Sequence, residues 1–332
     1  MKKKIRKLKQ QLRSQRDYFL KRMRMKISAL WDRELPAPSI AEKQKVEDFR
    51  TIVRGFQIPE DQFLATDADR MWNRFKREMR DYILENDPRT FLRCRSIIKS
   101  ISVPDSPYGY KELGYLRSRQ DWKSRWEFGI EEDAWGHPHP YWCYPKSSGT
   151  RIHHAYHLAL FEEMTGVKFS DHSTFIEFGG GYGNMPRLMN KLGYQGRYLI
   201  FDFPEFSALQ HFYLEGLEMS HGDLDQWSCE ECHQCTVSEW SDLAEAMKKV
   251  DLTDSLFMAT WSLSEAPFVI REPMLKAVEG VKSILIAFQS HFEDLANVDY
   301  FNDYQKGHPE YDWVLLSIEH IPGHYYLFGT RR

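Results

Sequence analysis

Two hydrophobic periods alternate along the second half of the chain. Short runs dense in β-branched and aromatic residues, at 173–178, 197–203, 234–239, 254–261 and 283–290, predict buried strands. Between the first of them, apolar residues recur at spacings of three and four. That period predicts helices over 150–166, 184–193 and 204–217. Residues 312–332 read as two strands joined at Pro322-Gly323. Alternating β and α units predict an α/β fold, a mostly parallel sheet with helices on both faces and an antiparallel C-terminal edge.

The first half is patterned differently. Residues 1–30 predict a basic amphipathic helix, with Ile5, Leu8, Leu12, Phe19 and Met23 near one face. Residues 36–43 break it, and the pattern from about 40 to 100 is helical, with Asn86-Asp87-Pro88 dividing its last two segments. Residues 103–150 are rich in Pro, Gly, Trp and Tyr, which predicts an irregular segment packed by aromatics. The resulting organisation is a basic helix (1–30), a helical and irregular region that covers an acceptor site (31–148) and a sheet domain (149–332).

Composition narrows the class. The chain is 42% hydrophobic and 28% charged, a globular balance that excludes a disordered or membrane-embedded chain. The net charge of −3 conceals an asymmetry. Residues 1–26 carry 12 Lys/Arg against Asp17 alone, for +11; the rest carry 33 bases against 47 acids, for −14. The acidic body argues against nucleic acid as a partner. The basic segment leaves three readings open: contact with an anionic membrane surface, pairing with another helix in a homo-oligomer, or a solvated helix. Five cysteines, three of them within seven residues, make a poor disulfide framework. With no apolar secretory segment near residue 1, the expectation is a cytoplasmic protein, with peripheral contact at the inner membrane surface through residues 1–30.

The chemistry concentrates where the first strand ends. Glu177, Gly179, Gly181 and Gly183 form an acidic-x-G-x-G-x-G run between a strand and a helix. Glycines let the backbone approach a ligand closely, and the helix behind them offers free N–H groups. A dinucleotide fingerprint needs glycine at Asn184, and the chain has no Gly-Lys pair for a phosphate loop. A carboxylate at the strand end suits a ligand with a cationic amino group and no pyrophosphate, as in S-adenosyl-L-methionine. Asp202 ends the next strand, 25 residues on, where an acid can accept hydrogen bonds from ribose hydroxyls. Arg151, at the start of the preceding helix beside His153 and His154, is either a partner for the cofactor carboxylate or a surface arginine paired with a nearby acid.

On these residues the chain resembles the class I S-adenosylmethionine-dependent methyltransferases. Residues 175–188 and 198–214 are similar to the sugar O-methyltransferase family of bacterial polysaccharide loci. The resemblance covers about 145–332. It implies a Rossmann-like seven-stranded sheet, S-adenosyl-L-methionine as cofactor, and methyl transfer to a hydroxyl of a surface glycan or its lipid-linked precursor. The cofactor residues it implies are Glu177, Gly179, Gly181, Tyr182, Gly183, Asp202 and Phe203, with Val237 and Ser238 at the adenine and Thr260 and Trp261 after the fourth strand. Glu265 matches the family's acid there. Two other readings stay open: a methyltransferase of a small metabolite or protein, and a non-catalytic module that keeps the fold.

An alcohol must lose its proton as it is methylated, so a base is expected at the carboxyl ends of the strands. His291 is favoured for its near-neutral chemistry, with Glu265 as the alternative and His320 and His324 nearby. Cys229, Cys232, His233 and Cys235 have metal-ligand chemistry but sit too close together for the usual paired spacing. His137 and His139, held by prolines, are read as a lid or packed loop before a metal pair. Asp294 and Asp299 are the only carboxylates near the expected site that suggest a divalent cation, and no metal is assigned.

Overall fold

The computed structural model describes residue 16, residues 19–60, residue 62, residues 66–103 and residues 106–332. Ile5, Leu8 and Leu12 of the amphipathic pattern therefore lie outside the described residues. The rest of that segment is helical over residues 19–31 (α1). Helices α2 (Ile40–Arg54) and α3 (Asp67–Glu85) follow, each opened by a reciprocal cap, Ser39 with Glu42 and Thr66 with Asp69. A short helix α4 (Arg95–Ser100) leads to α5 (Gly109–Ser118), a single turn α6 (Glu127–Gly129) and α7 (Gly149–Thr165). The segment 103–150 thus holds a ten-residue helix inside what the composition suggests is irregular chain.

Beyond α7 the order is β1 (Thr174–Phe178), α8 (Asn184–Lys191), β2 (Arg197–Phe201), α9 (Pro204–Gly216), β3 (His221–Gly222), α10 (Leu224–Ser228), β4 (Gln234–Val237), α11 (Trp240–Met247) and β5 (Ser255–Thr260). Then come α12 (Ser262–Glu265), α13 (Phe268–Ala277), β6 (Ser283–Gln289), β7 (His291–Phe292), β8 (Leu295–Ala296), α14 (Asn297–Gly307), β9 (Tyr311–Ser317) and β10 (His324–Arg331). The main sheet runs β3-β4-β2-β1-β5-β6-β10-β9, parallel except that β10 is antiparallel to both β6 and β9. It has eight strands, one more than expected. The addition is the two-residue β3, which pairs with β4 as His221 and Gly222 come alongside Gln234 and Cys235.

Residue alternation divides the strands between two cores. Phe175, Tyr198, Ile200, Leu256, Met258 and Leu285 pack beneath α7 and α8. Ile176, Leu199, Phe257, Ala259, Ile284 and Ile286 fill the opposite face with residues of α11 and α13. A third core joins the N-terminal helices to α9: Phe49, Met79 and Ile83 meet Phe206, Leu209 and Phe212, with Phe49 stacked on Phe212 at 4.4 Å. Helices α2 and α3 are therefore docked on the helix that follows β2, which brings the start of α3 to the carboxyl edge of the sheet.

Candidate active site

Strand order reverses at β1, which has β2 on one side and β5 on the other. In open α/β sheets the crevice beyond such a point receives ligands. The chain leaves β1 through Gly179–Gly183 and enters α8. Gly179 (φ 77°) and Gly181 (φ 59°) hold backbone angles that side chains disfavour. A Cβ on Gly179 would run into Ser262, and one on Gly181 would lie 3.3 Å from Ile101. These two glycines thereby let the loop lie close to Ser262 of α12 and to Ile101 just past α4.

Two acids flank it. Glu177 is buried and accepts a hydrogen bond from the Tyr198 hydroxyl at 2.8 Å; burial pushes its carboxyl up to about 8. Asp202, just past β2, accepts from the backbone N–H groups of Gly181 (3.0 Å) and Phe203 (2.8 Å). Burial still raises it to about 7, outweighing those bonds. Gln210 of α9 completes the arrangement. Its amide donates to Asp202 (2.9 Å) and to the Gly181 carbonyl (3.0 Å), and its oxygen accepts from Thr236 at 2.5 Å. The sequence signal for this residue was slight: one glutamine in an apolar helix, fully buried here.

A cavity of about 550 Å³ opens above the loop, within the range of small-molecule sites. Gly179, Gly181, Tyr182, Asp202, Phe203, Ser238, Thr260, Trp261 and Glu265 all line it. Tyr108, the helix start at Thr66–Trp72 and residues 100–103 close it from the N-terminal side. Among the described residues its wall holds five carboxylates (Asp69, Glu177, Asp202, Glu265 and Glu293) and no lysine or arginine. Glu265 accepts from Gln289 at 3.3 Å, and burial lifts its carboxyl to about 7.

The wall facing Trp261 is built from histidines of α7. His153 Nδ1 lies 2.8 Å from Glu112 Oε1, and His320 Nε2 reaches the same oxygen at 3.0 Å. Glu112 is fully buried in α5; burial raises its pKa, but the two imidazoles outweigh that and lower it. An ionised Glu112 accepts the Nδ1 proton of His153, which makes Nε2 the basic nitrogen of a ring on the cavity wall. His153 stacks on Trp261 at 5.3 Å, and Trp261 donates from its indole to His324 at 2.7 Å. Trp261 carries a left-handed φ of 66°, a strain concentrated at the ligand cavity. His154 accepts from Asn184 at 2.8 Å, and burial drives it down to about 3, so it stays neutral.

Four expected ligand or base residues sit elsewhere. Arg151 is fully buried and bonds Glu132 (2.9 Å) and Tyr213 (3.0 Å), away from the cavity; two residues from His153, it projects from the opposite side of α7. Val237 packs in the core while its neighbour Ser238 faces the cavity, as alternation in an extended segment requires. The same alternation leaves His291 exposed in the β7–β8 hairpin while Phe292 lines the cavity, so His291 is not placed to act as base. Gly183 caps α8 against Tyr213, outside the cavity wall.

His137 bonds Asp32 (3.1 Å) and His139 contacts Arg93 (2.9 Å); both fasten the α1 region rather than cover the cavity. Cys229, Cys232 and Cys235 are free thiols, the last two buried. No group of three metal-ligating side chains gathers among the described residues.

No protein-family model matches the chain, and no curated protein matches it. Solved structures share its trace at a distance. The METTL16 MTase domain is 13% identical, with 67% of this chain and 81% of that one covered at a TM-score of 0.38. The methyltransferase domain of bacterial CtHen1 is 10% identical over 52% and 97%, with a TM-score of 0.37. SAH-bound Podospora anserina methyltransferase PaMTH1 is 8% identical over 71% and 92%, at 0.36. Likeness at this level decides neither the ligand nor the reaction.

Proposed function

We propose that this chain is an S-adenosyl-L-methionine-dependent methyltransferase that methylates a hydroxyl of an uncharged sugar. One observation carries the reading: the acid–glycine–acid cradle and the Glu112–His153 pair open into the same cavity. The cavity's chemistry fits that cofactor. Five carboxylates without a lysine or arginine favour a cationic ligand and disfavour a phosphate-bearing one in the cavity. The backbone of Gly179–Gly181 borders the cavity without side chains, and Asp202 sits where ribose hydroxyls donate.

When bound, the cofactor's sulfonium supplies an electrophilic methyl group and leaves as a neutral thioether. The chain's residues supply position and a proton acceptor. His153 Nε2 takes the hydroxyl proton of the acceptor, and Glu112 balances the imidazolium that forms, as a carboxylate orients the histidine of a hydrolase triad. Glu265, lifted by burial to about 7, donates a hydrogen bond to an acceptor oxygen when protonated and accepts one from an acceptor hydroxyl when ionised. Trp72, Trp240 and Phe292 line the cavity with aromatic rings, whose faces suit the C–H faces of a sugar.

Those same rings support a second reading, a flat aromatic metabolite as acceptor. Calorimetry with S-adenosyl-L-methionine, followed by labelled-methyl transfer to extracted glycans and to a phenol panel, separates the two. Absence of cofactor binding would remove both.

A further inference from the structure

We propose that α1 docks the protein on an anionic lipid surface, independently of the reaction assigned to the cavity. The helix has two distinct stripes. Leu20, Arg24, Ile27 and Ser28, at spacings of four, three and one, turn toward the body, and the Ser28 hydroxyl donates to the Pro140 carbonyl at 2.6 Å. Asp32, just beyond, accepts from Arg93 at 2.6 Å and bonds His137, so the helix end is fixed. Phe19, Met23, Lys26 and Leu30, at spacings of four, three and four, form a second stripe that turns to solvent.

The second stripe is apolar where a solvated helix would be polar: Phe19 is 66% exposed and Leu30 80%. Lys21, Lys26 and Arg33 stand exposed on and beside it. The occupant follows from charge. The stripe belongs to the one strongly basic stretch of the sequence, +11 over residues 1–26, while the remaining chain carries −14. A second copy of this helix would bring like charges together. An anionic bilayer instead attracts each cation near its surface and repels the acidic body. The apolar side chains then enter the headgroup boundary while Lys26 extends its ammonium back to the phosphates. Among the described residues no helix is long and apolar enough to cross a membrane.

Co-sedimentation of the full chain tests this, with vesicles of phosphatidylcholine mixed with phosphatidylglycerol and vesicles of phosphatidylcholine alone. The mixed vesicles are expected to bind at least about tenfold more tightly, with the preference shrinking as salt rises. The triple variant F19S/M23S/L30S and the double variant K21E/K26E should each lose at least about tenfold. Their thermal unfolding should match the parent, because the substituted side chains face solvent. Equal binding to the two vesicle types overturns the proposal, as do variants that sediment like the parent. Light scattering that shows the triple variant falling from dimer to monomer, with no vesicle binding by the parent, assigns the stripe to self-association and also overturns it.

Discussion

His153 and Glu112 meet at 2.8 Å across 41 residues of sequence, at the back of the cavity that also holds the glycine loop. Glu112 is sealed from solvent and bonded by two imidazoles, from His153 and His320. A buried carboxylate is costly unless paired, and this one gathers its partners where an acceptor hydroxyl would lie. Under the proposed reaction, that placement assigns the base to His153 and leaves Glu112 to position it.

Removing the base should therefore slow chemistry without weakening cofactor binding. His153→Ala is expected to lower kcat by about 10²–10⁴-fold, with S-adenosyl-L-methionine affinity by calorimetry unchanged. Glu112→Gln should lower kcat less, with KM unchanged, because the imidazolium then forms without its counter-charge. A His153→Ala enzyme with the parent's kcat would exclude this base.

The cavity acids give cofactor binding a proton balance. Burial raises Asp202 and Glu265 to about 7 and Glu177 to about 8, against ordinary values of 3.8 for Asp and 4.5 for Glu. A carboxyl whose folded pKa is raised contributes stability that is fully present below the unfolded value near 4 and is lost as pH rises through 7 to 8. The free protein should thus lose thermal stability between pH 5 and about 8.5. A bound cation favours the ionised acids, so affinity should rise over pH 6 to about 8, with protons released on binding. Calorimetry in buffers of different ionisation enthalpy counts those protons; pH-independent affinity with no release would refute the balance.

Gln210 links three elements, so its loss should be felt at the ligand. Gln210→Leu leaves the Gly181 carbonyl without its partner and takes one bond each from Asp202 and Thr236, which keep the Gly181 N–H and the Ser207 hydroxyl. Each unpaired buried group costs about 1–3 kcal/mol. The expected result is a lower unfolding temperature together with cofactor affinity weakened about tenfold or more. Affinity equal to the parent's would show that the Asp202 carboxylate holds its place without the glutamine.

What could be read in advance was local. The strands show in runs such as residues 283–288, and the loop shows in glycines that only a sharp bend requires, because both patterns are written within a few residues. The cradle residues Glu177, Gly179, Gly181 and Asp202 were legible for the same reason, since a strand end fixes where its last acid sits. Side-chain direction was harder. Val237 and His291 each stand one residue from a cavity wall, and alternation turns both away from it. The contacts that build the acceptor wall were illegible. Glu112 lies in a stretch that reads as irregular, and nothing near residue 153 announces a partner 41 positions earlier. The docking of α3 against α9 is likewise a matter of tertiary packing, so the part of the cavity formed by Thr66–Trp72 could be anticipated only as a cover.

Arg151 offers the sharpest contrast between a ligand-binding and a structural arginine. It is sealed in the interior, 2.9 Å from Glu132 and 3.5 Å from Asp133, and Glu132 also holds the Ser148 cap of α7. Asp133 keeps a second partner in Arg187 at 2.6 Å, whereas among the described residues Glu132 has no second cation within salt-bridge distance. Arg151→Met fills the volume but strands the Glu132 carboxylate beside an apolar side chain. Breaking a buried pair from one side costs about 3–5 kcal/mol, enough to remove several degrees from the unfolding midpoint. Cofactor affinity, measured below that midpoint, should stay within about threefold of the parent, roughly 0.6 kcal/mol on the scale where 1.4 kcal/mol is tenfold. The opposite outcome, an unchanged midpoint with affinity lost, would put this guanidinium on the cofactor and require α7 to be rotated from its position here.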